Sequence, residues 1–286
     1  MFNEVERFVN WMRRRHPDAH TWQDYRCDLQ QFARIVGDRP PADITLTDID
    51  HFVLVQAEER MNPATINRRL AAITSFYTFL ADEDPDLVCP VLPHRHSVRQ
   101  RRRLPRPVPE DDLNRFLAVI EDVRDRAMFL LMLRCGLRIG EVAGLKARDL
   151  YMAEKPPRLL VTGKGSKERT VYLSPQAVQA VQTYLAARPS APSDYLFLSY
   201  QNDGLSTTAI HKRLMHYREQ AGVQLTAHQL RHSFANDLVT ADVPVTSIQK
   251  LLGHAWIATT QTYVAANDRQ VQADFYQTVA AMEEWQ

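Results

Sequence analysis

Thr226-Ala227-His228-Gln229-Leu230-Arg231-His232, followed by Leu251-Leu252-Gly253-His254 and, nine residues on, by Tyr263, decides how this chain reads. Residues 228–240 fit one helix and 244–252 another, with Gly253 as the stop that a left-handed C-terminal position favours. A phenol placed after two histidines and an arginine can attack a phosphodiester and stay attached to it.

Such chemistry needs more than a nucleophile. It needs cations for the charge that builds on the non-bridging oxygens and a proton for the departing oxygen. Upstream, Cys135-Gly136-Leu137-Arg138-Ile139-Gly140-Glu141 supplies a second arginine, and Gly163-Lys164-Gly165-Ser166-Lys167 supplies a lysine. The runs 158–162 and 169–173 are rich in β-formers, so the segment between them reads as a hairpin with Lys164 at its turn. Arg138 and Arg231 can each offer phosphate a planar fork of donors that stays charged at any working pH. Tyr263 has an intrinsic pKa near ~10 and must lose its proton during attack, for which His228 is the candidate base. Lys164, at that turn, can give a proton to the departing oxygen, and His254 can donate to a phosphate oxygen. Glu141, three residues after Arg138 on the same helical face, can orient a guanidinium or a histidine. Gly163 to Ser166 is not a Walker loop, because the upstream glycine spacing is missing. Cys89 with His94 and His96 is too irregular for a metal site, and Cys135 reads as a small buried residue.

Singly these residues are ordinary. In this order, Arg138, Lys164, His228, Arg231, His254 and Tyr263 resemble the tyrosine recombinase (phage integrase) family, and the likeness extends over nearly the whole chain. It implies catalytic roles for those six residues, Tyr263 as nucleophile, and a supporting role for Glu141. It also implies a 3′-phosphotyrosyl link with a free 5′ hydroxyl, requiring neither ATP nor metal, and so no cofactor. The fold it implies is a two-domain clamp on double-stranded DNA, with an N-terminal SAM-like helical domain and a C-terminal catalytic domain. The assembly it implies is a homotetramer on two sites exchanging strands through a Holliday junction, with participation of a second recombinase left open.

The rest of the chain is read around that set. Its 286 residues suffice for two domains, and three scattered cysteines make no disulfide framework. The longest apolar run, Ala127 to Leu133, is far short of a membrane span, and no signal peptide is evident. We therefore expect a cytoplasmic protein with no membrane partner. Net charge is only +1, but between Asp86 and Glu110 there is no acidic residue while Arg95, Arg99, Arg101, Arg102, Arg103 and Arg106 all lie there. Five prolines in the same stretch mark an extended connector. The expected organisation is a helical DNA-binding domain over 1–86, a basic linker over 87–108, and a catalytic domain over 109–286, mainly α with a small antiparallel β-sheet.

Within the first domain, Thr21 reads as the cap of a helix ended by Gly37, Thr47 as the cap of a second, and Asn62-Pro63 as the start of a third. In that third helix Ile66, Leu70, Ile73, Tyr77 and Leu80 form the apolar stripe, leaving Asn67, Arg68 and Arg69 as candidates for a DNA groove. Arg99, Arg101, Arg102 and Arg103 are candidates for the phosphate backbone. Past Tyr263, Val271, Phe275, Val279, Met282 and Trp285 recur at helical spacing, as in a tail that docks on a neighbouring protomer or folds back on its own domain. Length resembles Xer-like or short transposon and plasmid recombinases. The competing readings are a type IB topoisomerase and a DNA-binding accessory protein of the same fold.

Overall fold

The computed structural model of the protein describes residues 1–17, 21–100, 108–163 and 168–253. The chain divides into two compact units, residues 1–102 and 103–286.

Among the described residues of the first unit five α-helices, α1 (Phe2–Arg15), α2 (Thr21–Val36), α3 (Leu46–Glu58), α4 (Pro63–Ala81) and the short α5 (Pro93–His96), enclose an aromatic core. Phe8, Phe32, Phe52 and Phe76 are fully buried, with Phe32 and Phe52 edge to face at 5.1 Å. Helix α4 begins as its sequence dictates: Asn62 accepts from the Ala64 amide at 2.9 Å, and Pro63 occupies the first position, where its missing N–H costs nothing. All five residues of its expected stripe are buried. Helix α3 starts earlier than expected, capped by Thr45 rather than Thr47. Thr45 and Asp48 cap each other, the Asp48 carboxylate accepting the Thr45 amide at 2.8 Å, whereas the carboxylate three residues after Thr47, Asp50, pairs with Arg95.

The expected extended connector is only partly extended. Val91 is buried in the first unit's core, Pro93 opens α5 as a helix-starting proline, and the Asn67 amide pairs with both backbone groups of Val98 at 2.8 and 2.9 Å. Arg101, Arg102, Arg103 and Arg106 lie outside the described residues.

In the second unit, α6 (Glu110–Ala118) follows the Pro109 cap, and its acidic first turn suits the positive end of the helix. Helix α7 (Val123–Cys135) is the centre of the core. Phe129, Leu131 and Leu133 are all inaccessible, and the run Ala127 to Leu133 is buried on every side rather than along one stripe. It packs against α9 (Pro175–Ala187) and α11 (Ala227–Thr240). The short α8 (Ile139–Gly144) follows α7, and the antiparallel sheet runs in the order β1 (Leu150–Tyr151), β2 (Arg158–Thr162), β3 (Glu168–Tyr172). The hairpin register places Thr162 opposite Glu168 and Arg158 opposite Tyr172. Helix α10 (Thr207–Gln220) packs against α8, and α12 (Val245–Leu252), the last helix among the described residues, packs against α11 and β3. Among the described residues no helix is long and apolar enough to cross a membrane.

Candidate active site

Four elements, α8, β3, α11 and the end of α12, bring three arginines onto one carboxylate. Arg138 is not inside a helix, as its spacing to Glu141 implied, but is the residue that precedes α8. Glu141, three positions on, reaches back to accept its backbone amide at 2.7 Å and its Nη1 at 2.8 Å. Arg169, on β3, grips the same carboxylate with both ends of its fork, Nη1 to Oε1 at 2.7 Å and Nη2 to Oε2 at 2.9 Å. Four donors thus meet about four lone-pair positions, leaving the carboxylate saturated. Burial by itself would raise the Glu141 carboxyl, but the bonds and charge of Arg169, and then Arg138, hold it below its ordinary 4.5.

Arg231, on α11 behind the Thr226 cap, is 2% exposed. Its Nη1 donates to the Gly136 carbonyl at 2.5 Å and its Nη2 to the Leu252 carbonyl at 2.5 Å, and Nη1 lies 3.8 Å from Glu141 Oε2. These carbonyls close α7 and α12, whose caps Gly136 and Gly253 both sit in the left-handed region, at φ 69° and 63°. A buried cation at the negative ends of two helices is well placed. The last two carbonyls of α12 and that of its cap are taken in succession: Leu251 by Arg169 Nε at 3.3 Å, Leu252 by Arg231, and Gly253 by Arg138 Nη2 at 3.5 Å. The expected residue His254 follows directly in sequence.

The arrangement leaves Arg138 partly open, its side chain 41% exposed, while Arg169 and Arg231 are enclosed. His228, one turn before His232 on α11, keeps solvent access and stands nearly perpendicular to it, ring centres 4.1 Å apart. Partial desolvation first, then the Arg231 and Arg138 cations, lower the His228 pKa from 6.5, so at neutral pH it is an acceptor rather than a cation. His232 is lowered to about 4 by burial, then by His228 and Arg231. Burial raises the Cys135 thiol to about 11, which leaves it inert at neutral pH. Chemically, the cluster offers an open guanidinium, a buried one beside it, and a neutral imidazole.

The structure therefore brings together Arg138, Glu141, His228 and Arg231. Lys164, His254 and Tyr263 lie outside the described residues, as does the expected tail over 271–285. Sequence reasoning missed Arg169. Its signal was parity: it shares a strand face with Val171, which is buried, and an arginine on the inward face of a strand needs a buried partner. In the first unit, Arg68 and Arg99 are exposed, although Arg68 also reaches Asp28 at 2.7 Å. Asn67 is engaged by Val98, and Arg69, 15% exposed, is engaged by Gln56 at 2.6 Å and lies near buried Asp28. Among the described residues no group of His, Cys, Asp and Glu is gathered so as to hold a metal ion.

Residues 106–270 match the phage integrase family, and residues 5–84 match the phage integrase N-terminal SAM-like domain. The chain belongs to the phage integrase family and is a tyrosine recombinase, an enzyme of site-specific DNA recombination. It is 36% identical over 283 residues to tyrosine recombinase XerC of Rhodospirillum centenum, covering 91% of this chain and 81% of that relative. It is 32% identical over 290 residues to the XerC of a Roseiflexus species, covering 93% and 90%. Its fold is that of a XerH site-specific recombinase solved with a palindromic difH substrate in a post-cleavage complex, with TM-score 0.75, 22% identity, and coverage of 89% of this chain and 78% of that one.

Proposed function

We propose that this enzyme cuts and rejoins duplex DNA at a specific site through Tyr263. The phenol oxygen attacks the scissile phosphorus, the bond to the 5′ oxygen breaks, and a 3′-phosphotyrosyl link forms. His228 takes the phenol proton, Lys164 supplies one to the departing 5′ oxygen, and Arg138, Arg231 and His254 bind the non-bridging oxygens. Rejoining reverses these steps with the 5′ hydroxyl of the exchanged strand, and strand exchange passes through a Holliday junction. The phosphodiester energy is kept in the tyrosyl link, so nucleotide hydrolysis is not needed.

The observation that carries this reading is the gathering of Arg138 and Arg231 on Glu141 at the end of α12, the helix from which the chain continues to His254 and Tyr263, with a neutral His228 within the field of both arginines. The charged residues Arg68, Arg69, Arg99, Arg101, Arg102 and Arg103, with Asn67, are proposed to serve duplex binding, Asn67, Arg68 and Arg69 at a groove and the linker arginines at the backbone. Four protomers act on two sites.

Covalent trapping tests the proposal. Wild type and Tyr263→Phe are incubated with nicked duplexes from the enzyme's own replicon, denatured, and assayed for DNA retained on protein. Adducts from wild type alone, with binding kept in the variant, are expected. Adducts from both would refute Tyr263 as nucleophile. Specific binding with no adduct from either would favour a DNA-binding accessory role.

A further inference from the structure

Arg169 contributes three donors in two directions at once. Its fork takes one position on each oxygen of Glu141, at 2.7 and 2.9 Å, and its Nε takes the Leu251 carbonyl at 3.3 Å. What remains open on Glu141 matches what Arg138 offers, Nη1 on Oε1 and the backbone amide on Oε2. The Arg169 stem also lies against Gly253, where an added Cβ would come within 2.7 Å of Arg169 Cδ. A lysine has the charge but neither the fork nor the second direction.

We infer that Arg169 is a positioning residue for phosphate binding: through Glu141 it sets the orientation of Arg138, and through Leu251 it holds the end of α12 against β3. This rests on the recombinase reading above. Without the second grip on Glu141, the carboxylate is free to turn and Arg138 loses its fixed presentation. The defect then falls on neutralisation of the non-bridging oxygens rather than on duplex binding or on departure of the 5′ oxygen.

The test is single-turnover cleavage by wild type, R169K and R169Q on two nicked duplexes. One carries the ordinary scissile phosphodiester. The other carries a methylphosphonate there, in which a methyl group replaces one non-bridging oxygen and the negative charge is gone. Duplex affinity and thermal midpoint are measured alongside. R169K is expected to bind as wild type and to cleave the phosphodiester about 10- to 100-fold more slowly, the usual cost of removing the group that orients a working one. That loss should largely disappear on the methylphosphonate, which asks less of Arg138. Equal losses on both substrates, or no loss on either, would overturn the inference. So would failure of both variants to fold, which would make Arg169 a structural clamp only. Failure of wild type to form an adduct on the phosphodiester would instead bring down the recombinase mechanism on which the inference stands.

Discussion

Replacing Glu141 by glutamine keeps the shape of the side chain and removes its charge, leaving two enclosed guanidinium groups without their counterion. Glu141 is 5% exposed, Arg169 11% and Arg231 2%, so these charges are weakly screened, while Arg138, at 41%, is largely solvated. The Arg138 pair therefore contributes at most about 1 kcal/mol. Breaking the enclosed part by removing one partner costs about 3–5 kcal/mol, because the stranded cations bear the desolvation penalty alone. For a unit of this size the thermal midpoint moves by about 2–4 °C for each kcal/mol, a fall of roughly 6–20 °C. The sign with pH follows from the depressed carboxyl. Glu141 titrates below 4.5 in the folded protein, so its contribution is complete above that value and is lost as pH falls through the folded pKa. Urea unfolding of wild type and E141Q, followed by circular dichroism across a pH series, should show a constant gap near neutrality that narrows in acid. A gap below about 1 kcal/mol at neutral pH, the size of a surface pair, would refute the reasoning. So would a gap that persists unchanged in acid.

Gly136→Ala places a Cβ within 2.4 Å of Phe234 Cδ1 at a φ of 69°, and overpacking plus left-handed strain should destabilise the protein by about 2–5 kcal/mol; an unchanged thermal midpoint would show that Phe234 yields without cost. Adduct formation should keep its rate as pH falls through 6.5 and decline only below it, because His228 remains neutral and able to accept a proton until its lowered pKa is reached. An acid limb at or above 6.5 would place the titrating group elsewhere.

Much of the architecture was legible because it is written in local rules. Asn62-Pro63 starts α4, Gly37 and Gly253 end helices, and the stripe from Ile66 to Leu80 faces inward because residues three and four apart share a helical face. Where local rules competed, neighbours decided. Thr45 and Thr47 are equally good caps in isolation, and Thr45 prevails because Asp48 is available to it while Asp50 is held by Arg95. The linker looked extended from its prolines, yet Pro93 begins a helix and the Asn67 amide fastens Val98, a contact between residues far apart in sequence.

By itself the sequence determined the helical plan, the hairpin, the basic segment, and the order of arginines, histidines and tyrosine that marks the family, since each is a matter of residue type and spacing. Only the tertiary structure decided how Arg138, Arg169 and Arg231 divide one carboxylate and three consecutive carbonyls among them. They come from a loop before α8, from a strand and from a helix, and no periodicity relates such positions. What relates them is that buried donors and acceptors must be matched in space, and Arg169, ordinary in sequence, is placed by that requirement.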